Sequence, residues 1–313
     1  MTDNTPRYVH IVDEVPELGD AATRRPGAGP VLVLALDGFL DAGNAARIAV
    51  DHLVGEEAGR VVASFEIDAF FDYRARRPPI RFVEDHYEGY QAPRLVTRLQ
   101  HDGRGMPYLL LHGPEPDTHW ETFARSVREV VEHFDVRLVV GIGSVPMAVP
   151  HSRPVMVTNH ATRADLLMTE NIWRGVIQVP ASAAAMLEVR LGEWGHDAMG
   201  FVAHVPHYVS QAGYPAAAAK LLECVEVVSG LQWDLEGLHA AARTRGAEIA
   251  EHVAESPDVR EVVSGLEQQY DAFARADDEV SLPLAEDERD LPTGEELGAE
   301  FERFLAGLDG DDD

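Results

Sequence analysis

The sequence predicts an α/β protein, a mixed and mainly parallel sheet sandwiched by helices, with an all-helical extension at its C-terminal end. Three observations predict it. Continuously apolar, partly β-branched runs alternate with helix-period segments over about 200 residues, as strands covered on both faces and their crossover helices do. One stretch instead alternates apolar and polar residues, the mark of an antiparallel hairpin. Beyond Trp233 the strand signal stops and only helix-period segments remain.

In chain order, Val31 to Leu36 reads as a strand buried on both faces, followed by a turn over 37–43. Ala45, Ile48, Ala49 and Leu53 then mark one helical face between Asn44 and Val54, leading to a strand over Val61 to Ile67. The alternation Arg94 to Leu99, the turn His101 to Gly105 and the run Pro107 to Leu111 predict a hairpin near 94–111. Thr118 with Glu121 has the spacing of a capping box and opens a helix to His133. Strands follow over 137–142, 155–158 and 175–179, then a helix from Ala181, a strand over 199–205 and a helix over 216–228.

Residues 1–230 thus form the α/β core and 231–313 a helical extension with an acidic tail, expected to be separable in stability. Its second helix carries Val259, Val263, Leu266, Tyr270 and Phe273 at intervals of four and three, a packing face, with Ser256 and Pro257 as cap and first-turn proline. Residues 277–313 hold 15 acids against two arginines. They read as an acidic, protease-sensitive linker followed by a docking helix capped at Thr293.

Composition narrows the function classes. The net charge of −28 argues against a nucleic-acid partner, which would draw on clustered Lys and Arg, and against anionic membrane surfaces. No segment approaches the roughly 18 apolar residues of a membrane span, and the N-terminus lacks a signal-peptide run. Cys224 is the single cysteine, so no intrachain disulfide can form, in keeping with a cytoplasmic protein. No HExxH, Walker A loop or Gly-x-Ser-x-Gly elbow occurs, and Lys220, the single lysine, sits in an Ala/Leu helix. No cofactor and no metal are expected.

Gly38-Phe39-Leu40-Asp41-Ala42-Gly43 resembles the glycine-aromatic-x-Asp-Ala-Gly signature of the proteasome assembly chaperone superfamily, bacterial branch. Gly141 to Pro146, read as a glycine turn after a mid-sheet strand, and Pro206-His207-Tyr208 with Tyr214 to Ala217 extend the resemblance over about residues 30–230. It implies a core like that of purine nucleoside phosphorylases and a hairpin in oligomer contacts. It also implies a homotrimer, and C-terminal helices forming a lid over a pocket. The hydrophobic-Tyr-x tail by which some relatives dock is replaced here by Asp309 to Asp313.

Open α/β sheets bind ligands at the C-terminal ends of their strands, which selects a set of candidate binding residues. Gly38, Phe39, Asp41 and Asn44 follow the first strand; Asp41 could act as a general base, or could cap the next helix together with Asn44. His112, Gly113 and Glu115 place an imidazole and a carboxylate at a second strand end, suited to acid/base chemistry or simply to a turn. Gly143 and Ser144 could receive an anion, although Pro146 replaces the third glycine of a dinucleotide fingerprint. Thr158, Asn159 and His160 offer neutral hydrogen-bonding groups, and His207 with Tyr208 an aromatic edge. No complete catalytic constellation emerges. Two readings stand: a non-enzymatic assembly or interaction scaffold, and a binding protein or enzyme for a nucleoside-like or amino-acid-like ligand beneath the helical lid.

Overall fold

Ten strands and seven helices follow one another along a computed structural model that describes residues 7–19, 25, 27–38, 40–55, 58–169 and 176–278, with side chains up to 272. Phe39, the Phe273 side chain and the acidic tail beyond 278 with its cap at Thr293 lie outside the described residues. In order they are β1 (Val9–Ile11), β2 (Val31–Asp37), α1 (Ala45–Val54), β3 (Arg60–Phe65), α2 (Ile67–Phe70), β4 (Arg81–Val83), β5 (His86–Glu88), β6 (Val96–His101), β7 (Pro107–Pro114), α3 (Trp120–Phe134), β8 (Leu138–Met147), β9 (Val157–Ala161), α4 (Ala183–Glu193), β10 (Ala198–Pro206), α5 (Pro215–Ser229), α6 (Glu236–Glu255) and α7 (Pro257–Asp278).

Eight strands form one sheet in the order β1-β3-β6-β7-β2-β8-β10-β9. The central pairs β7/β2, β2/β8 and β8/β10 are parallel, while β1, β6 and β9 run against the other five strands. Alternation along β2 divides the core. Val31, Val33 and Ala35 face α1, α5 and α6, whereas Leu32 and Leu34 face α3 and α4. A continuous apolar strand is what burial on both faces demands.

The expected β6–β7 hairpin is present, and its tip docks onto the loop between α5 and α6. The Asp102 carboxylate accepts hydrogen bonds from the backbone N–H of Arg104 and Met106, both at 2.8 Å, and of Gln232 at 2.9 Å. Trp233 packs edge-on against Tyr108, ring centroids 5.5 Å apart, and Leu238 and Ile249 of α6 join the core. In α7, Val263 is buried and Val259, Leu266 and Tyr270 half-buried, with Pro257 in its first turn and Ser256 Oγ 3.5 Å from Val259 N. By contacts the chain divides into units 1–270 and 271–313.

Several local expectations are corrected. No capping box forms at Thr118: its hydroxyl donates to Ala69 O, Glu121 pairs with Arg190, and His119 precedes the helix in the left-handed region. Tertiary partners have outcompeted the local cap. Gly141 and Gly143 lie inside β8, which runs on to Met147 against β10, so no glycine turn follows that strand. Residues 176–179 of the expected strand over 175–179 are not in a strand. The edge strand β1 and the exposed β4–β5 hairpin, with the Phe82 and Tyr87 rings tilted against each other at 5.0 Å, were not expected. Three-residue strands are too short to show a period.

Candidate functional site

The turn after β2 is held by its own polar groups. Asp41 Oδ1 accepts from Ala46 N at 2.9 Å and Oδ2 from Arg47 N at 3.1 Å, filling two of the free donors at the start of α1. Ser144 Oγ lies 2.8 Å from both Asp41 Oδ1 and Ala42 O, so one hydroxyl proton serves two acceptors. Gly43 has φ +65°, and a Cβ there would come within 2.6 Å of Tyr214 Cβ. The Asp-Ala-Gly pattern therefore builds a helix start and a close approach to α5. Asn44 adopts φ 49° without a side-chain cap bond of its own.

Glu115 and His112, read together in the sequence, are parted by strand alternation. Glu115 Oε1 accepts from Ala183 N at 2.6 Å, placing its carboxylate at the positive end of α4. A Cβ on Gly38 would stand 2.9 Å from the same carboxylate. Arg76, which no sequence signal marked, donates to Glu115 O at 2.6 Å and to Asp117 Oδ2 at 2.8 Å.

His112 points to the α1 side, into a cavity of about 430 Å³ shared with Asp37, Arg47, Asp51 and Gly113. Its Nε2 accepts from Arg98 Nε at 3.0 Å, so Nδ1 carries the proton of the neutral ring. Burial and then the Arg98 charge push the His112 pKa down to about 4. Burial pushes the Asp37 carboxyl up, helped by Asp41, while Arg47 pulls the other way. The recess thus joins a carboxyl whose charge is disfavoured, the second carboxyl of Asp51, a neutral imidazole and the Arg47 guanidinium, with Arg98 bonded to the imidazole from outside the lining. Arg98 was legible only as an alternating residue of a strand.

At the other edge, the three β9 candidates point to alternate faces. Thr158 Oγ1 meets His204 Nε2 at 2.8 Å, and His160 Nδ1 meets Glu188 Oε2 of α4 at 2.8 Å. Asn159 turns the other way, its Nδ2 donating to Thr169 O at 3.1 Å and its Oδ1 accepting from Met168 N at 3.2 Å. Past β10, the Tyr208 hydroxyl lies 2.8 Å from both the backbone N–H and Nδ1 of His151, accepting from the backbone N–H. Burial pushes the Tyr208 pKa up to about 12. His207 Nδ1 stands 3.4 Å from Met147 O. The loop carrying His151 is fastened to α7 by Ser152 to Glu267 and by Tyr270 OH to Pro154 O.

Among the described residues no group of three or more His, Cys, Asp or Glu could hold a metal ion, and no helix is long and apolar enough to cross a membrane.

The PAC2 family profile matches residues 35–253. A Mycobacterium tuberculosis protein of unknown function is similar in structure at 44% identity and TM-score 0.80, covering 87% of this chain and 92% of that one. A Corynebacterium glutamicum protein of unknown function follows at 35% identity and TM-score 0.80, covering 87% and 99%. A proteasome-assembly chaperone homologue of M. tuberculosis shares 32% identity over 74% of this chain and 99% of its own, at TM-score 0.69. No curated protein matches the chain. With the profile spanning residues 35–253 and the Asp-Ala-Gly turn built as described, the chain belongs to the PAC2 family.

Proposed function

We propose that this PAC2-family chain is a cytoplasmic, non-enzymatic assembly scaffold that acts as a homo-oligomer, a trimer being the stoichiometry the resemblance implies. One observation carries the reading: the candidate carboxylates Asp41 and Glu115 serve the fold. Asp41 holds the start of α1 and Glu115 the start of α4, which leaves neither free to act as a base. The partner class suggested by the M. tuberculosis relative is a proteasome subunit.

Light scattering on the purified chain tests the oligomer, with roughly 103 kDa expected for three copies of 34.3 kDa. Co-elution with purified proteasome α- and β-type subunits tests the partner. A monodisperse monomer that forms no complex with either subunit would sink the reading.

The recess at His112 favours a second reading, a binder of a nucleoside-like or amino-acid-like ligand. Its guanidinium and carboxyl groups suit a zwitterion, and Asp37 with Arg47 would hold the two charges. This recess takes its lining from β2, α1 and β7, so the pocket of this reading is placed beside α1. A thermal-shift screen with nucleosides, amino acids and phosphate tests it. A shift lost in Asp37→Asn supports this reading; silence across the screen removes it.

A further inference from the structure

A second cavity, about 170 Å³, lies at mid-sheet between α4 and the floor formed by β8 and β10. Leu34, Gly141, Gly200 and His160 stand in one cross-strand row over β2, β8, β10 and β9, with Gly143 two residues along β8. Of the three glycines, one has a structural reason. A Cβ on Gly200 would sit 2.4 Å from His160 Cε1 and 2.7 Å from Nε2, so the imidazole can lie across β10 only above a glycine.

Gly141 and Gly143 have no such reason. Neither has a positive φ; a Cβ on Gly143 would meet nothing within 4 Å, and one on Gly141 would meet only Met199 O at 3.8 Å. Glycine in a strand interior loses side-chain packing and costs backbone entropy. Two of them beside open space in a central strand forgo stability that alanine or valine would supply. What they preserve is the cavity.

The walls of this space are mostly apolar, from Leu34, Val139, Leu187, Leu191 and Val202, with Ser182 and Glu188 at the α4 side. Its polar end is His160, whose Nδ1 is held by Glu188 and whose side chain is 43% exposed. The Glu188 carboxylate accepts the Nδ1 proton, so Nε2 of the neutral ring is an acceptor at the mouth. We propose that this cavity is a binding site for a single-ring phenolic molecule, its ring over Gly141 and Gly143 and its hydroxyl donating to His160 Nε2. The volume agrees, because an apolar interior cavity of about 150 Å³ takes up benzene. A pyrimidine base of similar size fits the chemistry less well, since its several polar atoms would face apolar walls unpaired. The inference does not rest on the scaffold reading, and a scaffold could carry the site as a control point.

The test titrates the full chain with phenol, benzene and uracil under ligand-observed NMR. A 4-bromophenol soak with anomalous scattering locates the site. Phenol should bind more tightly than benzene or uracil, with the bromine signal beneath α4. His160→Phe should weaken phenol about tenfold, the worth of one hydrogen bond, and leave benzene unchanged. Gly143→Val should raise the melting temperature and abolish phenol binding. If that variant fails to fold, Gly143→Ala, whose Cβ meets open space, makes the same comparison. Absence of phenol binding, equal affinity for benzene or uracil, bromine elsewhere, or full affinity in the filled variant would each overturn the proposal.

Discussion

Replacing Asp102 by alanine should be among the most damaging changes to a polar residue of this chain. Its side chain is 0% exposed, and its two oxygens hold the backbone N–H groups of Arg104, Met106 and Gln232. Two of those bonds close the β6–β7 turn on itself, and the third, together with Gly103 N to Gln232 O at 2.7 Å, joins the tip to the α5–α6 loop. Hydrogen bonds to a charged acceptor contribute about 1.5–3 kcal/mol each. Because the Arg104 side chain is half-exposed and water can reach part of this turn, the lower end applies, for a total of about 3–5 kcal/mol. Asp102→Asn keeps the oxygen that serves Arg104 and Met106 but turns an NH2 toward Gln232 N–H, and should cost about half as much.

Urea unfolding followed by circular dichroism measures both, the midpoint falling with an unchanged slope. The pH dependence has a definite sign. Burial by itself would raise the Asp102 pKa, but the bonds from Met106, Arg104 and Gln232 and the Arg104 charge outweigh it and lower the value. A lowered native pKa means that this stability is present above the unfolded value near 3.9 and is lost as pH falls through the native one. The alanine variant should lack that acid limb. A loss below about 1 kcal/mol, or an alanine variant no weaker than the asparagine one, would refute the reasoning.

Three further outcomes follow from the same geometry. Asp41→Ala removes both cap bonds of α1 and should cost about 1–2 kcal/mol in urea unfolding; a neutral result would show that the contacts of α1 with α5 suffice to hold the helix start. Gly200→Ala drives a Cβ to 2.4 Å from the His160 ring and should cost about 1–3 kcal/mol, a penalty that His160→Ala in the same chain should largely relieve. For His112, a native pKa near 4 against an ordinary value of 6.5 means that the unfolded chain takes up the proton first. Stability should therefore fall as pH drops from 6.5 toward 4, and His112→Gln should flatten that slope.

The family resemblance and the order of the central strands and main helices were legible in the sequence, because both reside in local pattern. Val31 to Leu36 read as a doubly buried strand, and the Asp-Ala-Gly turn carried the resemblance that the family profile supports. The roles of the candidate residues were less so. Asp41 presented both a capping and a catalytic reading, and only the positions of Ala46 N, Arg47 N and Ser144 decided between them.

His112 and Glu115, three residues apart, looked like one acid/base pair. Alternation sent one toward Arg98 and the other to the start of α4. Arg98, Glu188 and His151 stand 14, 28 and 57 residues from the candidate side chains they touch, beyond the reach of any motif.

The sequence by itself determined the central strands and the main helices, and that apolar faces must be covered on both sides of the sheet, because periodicity and turn chemistry act over a few residues; the three-residue strands β1, β4 and β5 left no such pattern. Only the tertiary structure decided which polar groups meet, and that Gly141 and Gly143 floor a cavity inside a strand and form no turn after it. Those outcomes depend on the order in which strands lie side by side, and that order is set by packing across the whole chain.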